Sequence, residues 1–146
     1  MIIVKQKFNP MIRVIQPELN YYALQEAIDE YIRENSQPTY FQGQLVDALQ
    51  VTGQSQEHAA GLADYLNQQS DVPYEFNAVR GYFSDYNLGQ HFWIVSEQLL
   101  IDLAIKQFAN YPQLPGDLLA DLTQHCYLIC DNPDDPIHRL YIEEVE

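Results

Sequence analysis

The stretch from Gln90 to Ile105, Gln-His-Phe-Trp-Ile-Val-Ser-Glu-Gln-Leu-Leu-Ile-Asp-Leu-Ala-Ile, constrains the fold most. Two apolar runs flank the polar Ser96-Glu97-Gln98, the pattern of neighbouring strands covered on both faces. Within those runs the ionisable side chains are His91 and Asp102. A two- or four-residue loop centred between Glu97 and Gln98 sets Trp93 opposite Asp102, with His91 as the diagonal neighbour. Centring the loop on Ser96-Glu97 sets His91 directly opposite. In both registers the pair shares a face with Cβ atoms ~5–8 Å apart, whereas an odd-length loop separates them. A carboxylate in such a strand costs several kcal/mol unless it is paired and hydrogen-bonded. His91 is its natural partner, and an aspartate on one imidazole nitrogen fixes the tautomer and leaves the other as a base. The plainer alternative has Asp102 capping a local backbone donor and His91 as a satisfied core histidine.

The rest of the chain supplies the frame. Ile2 to Phe8 and Met11 to Ile15 are β-like runs separated by the turn dipeptide Asn9-Pro10. Pro17 opens a helix expected from Glu18 to Glu34, with Tyr21, Leu24, Ala27, Ile28 and Tyr31 as its apolar stripe and Gln37-Pro38 as its break. Phe41, Leu45, Ala48 and Leu49 predict a second helix over Tyr40 to Gln50. Ala59, Leu62, Ala63 and Leu66 predict a third over Gln56 to Gln68, which Ser55 would cap. From Tyr74 strands follow: Tyr74 to Phe83, His91 to Val95, Leu99 to Ile105, Cys126 to Cys130 and Leu140 to Val145, with a short helix from Gly116 to Thr123. Helices first and strands afterwards predict an α+β domain, residues 1–146, with N-terminal helices packed on an antiparallel sheet.

Charge narrows the partners. With 7 basic against 21 acidic residues the net charge is −14, which argues against nucleic acid, because that binding is driven by Lys and Arg. Solubility or attraction of a basic protein are the roles left for the negative field. Acidity is densest after Asp131, with Arg139 the one base there. No apolar run is long enough to span a bilayer, and the opening Met-Ile-Ile-Val-Lys lacks the pattern of a secretory signal, so a cytoplasmic location is expected. Cys126 and Cys130, four apart in one strand, stand ~13 Å apart, too far for a disulfide, and are read as buried structural thiols. His58, His125 and His138 make no metal spacing with other ligands, and neither a Gly-rich phosphate loop nor a nucleophile elbow is present, so no metal or cofactor is expected.

The segment from Gly81 to Phe108 resembles a known family. His-Phe-Trp-Ile, a turn, then Leu-Leu-Ile-Asp-Leu-Ala-Ile-Lys-Gln-Phe is similar to the histidine and aspartate strands of transglutaminase-like enzymes of the papain-like cysteine protease superfamily. The resemblance implies a papain-like core and a catalytic pair His91 and Asp102; Trp93 reads as a core and cleft-wall residue rather than a substrate-stacking one, and Gln107 either bonds near the pair or lies at the surface or sheet end. It also implies a nucleophilic cysteine ahead of the histidine strand, at the N-terminus of a buried helix whose dipole lowers the thiol pKa. The start of the second expected helix, Pro38-Thr-Tyr-Phe-Gln-Gly, holds no cysteine. Tyr40 best fills the nucleophile's position, Phe41 on a shift of one residue, and tyrosine is a poor substitute for a thiolate. Thr39 offers a hydroxyl, and Cys126 would serve in a permuted arrangement.

Three functions follow as expectations. The first is a catalytically inactive transglutaminase-like domain that binds a protein or peptide partner. The second is an acyl-transfer or cysteine-protease-type enzyme using Cys126 or Thr39. The third, resting on charge alone, is an acidic inhibitor or immunity protein.

Overall fold

The structure, a computed structural model, describes residues 10–13, 21–41, 44–48, 55–69, 75–83, 90–105 and 127–144, with the backbone alone for 37–41 and 44–48. The expected elements Ile2 to Phe8 and Gly116 to Thr123, and the candidates Gln107, His125 and Cys126, lie outside the described residues.

Strand β1 (Pro10–Arg13) is followed by helix α1 (Tyr22–Asn35). The helix buries Leu24, Ala27, Ile28, Tyr31 and Ile32, the spacing of one helical face. Its C-terminus is closed by side chains. Asn35 Nδ2 donates to the Tyr31 carbonyl at 2.8 Å and Ser36 Oγ to the Ile32 carbonyl at 2.5 Å, satisfying acceptors the helix leaves unpaired. Ser36 is extended, at ψ 151°, and Pro38 lies two residues on.

The second expected helix is not a helix. Residues 37–48 form a separate antiparallel hairpin of β2 (Gln37–Phe41) and β3 (Gln44–Ala48), in which Phe41 pairs with Gln44 and Thr39 with Val46. Thr-Tyr-Phe is strand chemistry, and a glycine such as Gly43 in the sequence costs about 1 kcal/mol in a helix interior. Four apolar residues at helical spacing do not outweigh this.

Helix α2 (Ser55–Asn67) buries Ala59, Leu62, Ala63 and Leu66 on the expected face. It crosses α1 closely at Gly61, where an added Cβ would fall 2.6 Å from Tyr31 Oη. At its C-terminal end Asn67 clamps the start of the sheet, giving to the Phe76 carbonyl at 2.9 Å and accepting from the Phe76 N–H at 2.8 Å.

Strands β4 (Asn77–Phe83), β5 (Gln90–Ser96), β6 (Leu99–Asp102), β7 (Tyr127–Cys130) and β8 (Tyr141–Glu143) join β1 in one six-stranded sheet of order β1-β7-β6-β5-β4-β8. Four neighbouring pairs are antiparallel, but β1 runs parallel to β7, so the sheet is mixed and not antiparallel throughout. No hairpin joins β1 to β7, so nothing local dictates their direction. β1 covers the outer edge of Tyr-Leu-Ile-Cys, every residue of which is buried.

The sheet is covered on both faces. Ile94, Leu99, Ile101, Tyr127 and Ile129 pack with α1 and α2. Trp93, Leu100, Leu128 and Cys130 point the other way, into a second cluster with Met11, Phe83, Ile105 and Ile137. Two internal acids tie helix to sheet: Tyr127 Oη donates to Asp29 at 3.1 Å, and Tyr21 Oη to Asp131 at 2.6 Å.

Candidate functional site

The β5–β6 turn settles the register. Ile94 pairs with Ile101 and Ser96 with Leu99, leaving Glu97 and Gln98 as a two-residue loop. Glu97 takes φ 55°, the left-handed conformation that tight hairpins demand. Asp102 is thus opposite Trp93, and His91 is its diagonal neighbour.

The two side chains meet. His91 Nε2 lies 2.6 Å from Asp102 Oδ2, with His91 0 % and Asp102 1 % exposed. Asp102 has two further donors: Tyr141 Oη, 2.6 Å from Oδ2, and the Ala104 N–H, 2.7 Å from Oδ1. A buried carboxylate needs this many partners. The Ala104 bond is a local turn around an aspartate, and it ends β6 at Asp102, short of the expected Ile105. Pairing with His91 and capping of a backbone donor, set apart as alternatives above, therefore coexist.

Aromatic rings enclose the imidazole. Trp93 stacks on it at 6.0 Å and 28°, Phe83 meets it edge-on at 6.3 Å, and Tyr141 lies tilted at 6.2 Å. Gly81, paired with His91 across β4 and β5, leaves room for this: a Cβ there would stand 2.4 Å from Trp93 and 2.1 Å from the Ile142 carbonyl. Burial, then the negative charge of Asp102 and the bond donated to it, push the Tyr141 phenol well above its ordinary pKa. Tyr141 stays a proton donor at neutral pH.

His91, Trp93 and Asp102 share the sheet face that α1 and α2 do not cover, since Asp102 pairs with Leu128 of the second cluster. On the helix side, the first turn of α2 meets the hairpin around a cavity of about 10 Å³, lined among others by Ser55, His58, Ala59, Phe92, Ile101 and Asp102. That is the room of a single water. His58 is otherwise engaged with Tyr31 Oη, 3.3 Å from its Nδ1.

Tyr40 and Thr39 lie on β2, in the small hairpin and not at a helix N-terminus. Cys130 is a buried free thiol on β7, pushed up to about 11 by desolvation, against a lowering backbone hydrogen bond at Asn132, with Asp135 and Asp131 adding to the rise. It is protonated at neutral pH and unlike an activated nucleophile. Two residues escaped the sequence reading. Tyr141 carries no local signal, because its bond to Asp102 spans 39 residues. Ser55 had one, its place before the apolar stripe of α2, and was taken only as a cap.

Among the described residues no group of three His, Cys, Asp or Glu side chains is arranged to hold a metal ion, and no helix is long and apolar enough to cross a membrane. No protein-family model, curated protein or solved structure matches the chain.

Proposed function

We propose that this chain is a catalytically inactive transglutaminase-like domain that binds a protein or peptide partner through its acidic surface. The observation that carries the reading is the burial of His91, 0 % exposed, against a carboxylate that also accepts from Tyr141 and Ala104. A general base must come within hydrogen-bond reach of the proton it takes. An imidazole enclosed by Phe83, Trp93 and Tyr141 serves the packing of the sheet. The water-sized cavity between α2 and the hairpin leaves no room for an acyl substrate there. Net charge of −14 makes a basic protein surface the fitting partner and nucleic acid the unfitting one.

The second reading is an enzyme. The resemblance asks for a nucleophile at the N-terminus of a helix that precedes the histidine strand and packs on it. Helix α2 meets that description better than residues 40–50, and its first residue is Ser55, which lines the same cavity as Asp102. On that reading Ser55, beside the earlier candidates Thr39 and Cys126, is a candidate hydroxyl nucleophile, and it stands on the sheet face opposite His91.

The test treats the protein with a serine-reactive fluorophosphonate, an electrophilic thiol probe and a panel of glutamine and peptide substrates, beside His91→Ala and Ser55→Ala. We expect no turnover in any of them. Turnover abolished by His91→Ala overturns the binding reading. A Ser55→Cys protein whose probe reactivity depends on His91 would favour the enzyme.

A further inference from the structure

We propose that the groove between the outer flank of α2 and the β4–β8 edge of the sheet takes the side chain of a lysine on a protein partner. Helix α2 packs on β5 and β4, and the sheet runs on past it to β8, its edge strand. Ala60 of α2, Ala78 and Arg80 of β4 and Phe92 of β5 line the recess so formed, and Glu143 and Glu144 close it at β8. It encloses about 460 Å³, within the range of ligand pockets. Ala60 and Ala78, both exposed, are small enough to leave it open.

The carboxylates select the head group. Glu144 Oε2 is buried and accepts no hydrogen bond, the one side-chain oxygen or nitrogen in that state among the described residues. Arg80 Nε stands 2.5 Å away, so the two charges meet, but its N–H is not aligned on the oxygen. A buried acceptor without a donor is unfavourable and calls for one. Arg80 acts on both acids of the recess, and one base against two acids leaves one negative charge uncancelled. A lysine supplies what is missing. Its ammonium is a compact charge with three donors that turn towards the open oxygen, and its four-carbon stem lies along Ala60, Ala78 and Phe92. A guanidinium is a fixed fork suited to two acceptors in one plane, whereas here a single oxygen is open. Because β8 ends the sheet, an extended segment of the partner can run beside it and turn the lysine inward.

This inference rests on the binding reading above and deepens it. It is tested by titrating the full chain with acetylated, amidated threonine–valine pentapeptides whose central residue is lysine, arginine, norleucine or glutamate, followed by amide chemical shifts. We expect the lysine peptide to bind best, to perturb residues 56–60, 78–80 and 143–144, and to weaken with salt. Glu143→Gln and Glu144→Gln should each weaken it about three- to fivefold, the scale of a partly exposed ion pair. Asp134→Asn, which removes the same charge from an exposed loop outside the groove, should change it less than about twofold. Ala60→Phe fills the recess from an exposed helix position without altering its charge and should abolish binding. Arg80→Gln removes the competing cation from Glu144 and should tighten it. No binding, or a norleucine peptide equal to the lysine one, overturns the site. Equal weakening by Glu143→Gln and Asp134→Asn with Ala60→Phe silent overturns it in favour of a diffuse acidic field, and a glutamate peptide that binds best and is lost in Arg80→Gln overturns it in favour of an anion site. The two readings fail separately. Turnover lost in His91→Ala removes the non-catalytic reading whatever the groove binds, and a lysine peptide indifferent to Ala60→Phe removes the groove whatever the turnover.

Discussion

Tyr141 donates its phenolic proton to Asp102 Oδ2 at 2.6 Å, the same oxygen that lies 2.6 Å from His91 Nε2. Three strands meet at that atom: β8 brings the phenol, β5 the imidazole and β6 the carboxylate. The sheet order places β4 between β8 and β5, so the tyrosine reaches across that strand, past Phe83, its partner in register. The convergence reads as a polar knot inside an apolar layer, satisfied on every side that the described residues show.

Breaking the knot should unfold the protein more readily than any surface change. Asp102→Ala leaves a buried imidazole, a phenol and the Ala104 N–H without their acceptor, and removing one partner of a buried pair costs about 3–5 kcal/mol. Tyr141→Phe removes one bond to a charged group and should cost about 1.5–3 kcal/mol. Urea denaturation measures both. An Asp102→Ala protein as stable as the parent would mean that the carboxylate is not buried.

Much of this site is legible in the sequence. Period-two alternation required His91 and Asp102 to share a face for any even loop, and the two-residue Glu97-Gln98 turn realises the diagonal register. Alternation is silent, however, on which face the helices take, and here they take the one holding Ile94 and Ile101. Residues 37–48 misled because Phe41, Leu45, Ala48 and Leu49 satisfy a helical spacing while their neighbours Thr39, Tyr40 and Val46 prefer strands. A short segment offers both periods, and only pairing decides. The parallel β1–β7 contact and the Tyr141 bond are set by tertiary packing alone. In the sequence the acidity after Asp131 reads only as charge, yet Asp131 takes the Tyr21 phenol and Asp135 the Arg13 guanidinium at 3.3 Å.

Gly81→Ala tests the close packing of β4 against Trp93 and β8. The new methyl group would press on the Ile142 carbonyl, which is backbone, and on the buried Trp93 ring. Overpacking of this kind costs about 1–3 kcal/mol. The chain has one tryptophan, Trp93, 2 % exposed, so its fluorescence reports the site. We expect a red-shifted emission as well as lower stability. Unchanged fluorescence would deny the contact.

Glu97 offers the opposite experiment. At φ 55° a side chain is strained by about 1–2 kcal/mol, which glycine escapes, although glycine loses more chain entropy on folding. Glu97→Gly should therefore raise the urea midpoint slightly, and the β-branched Glu97→Val should lower it. The reverse order would show that the turn does not adopt the left-handed conformation.

Alkaline pH gives the last prediction. The Cys130 thiol is raised from 9.0 to about 11, chiefly by desolvation, and the Tyr141 phenol is raised further above its own reference by burial and by Asp102. A group whose folded pKa exceeds its unfolded value binds its proton more tightly when folded. The stability it contributes is present below the unfolded pKa and is lost as pH climbs towards the folded one. For Cys130 the loss should begin near 9 and be complete by about 11, and the tyrosine should extend it to higher pH. Cys130→Ala keeps the small apolar site and deletes the thiol, so its stability should fall less steeply across that window. Tyr141→Phe, less stable at neutral pH, should flatten the profile at its alkaline end. Urea midpoints at half-unit steps from pH 7 upward measure both. A Cys130→Ala profile parallel to the parent between 9 and 11 would mean that the thiol is not buried in the folded chain, and its labelling by thiol reagents would then be fast.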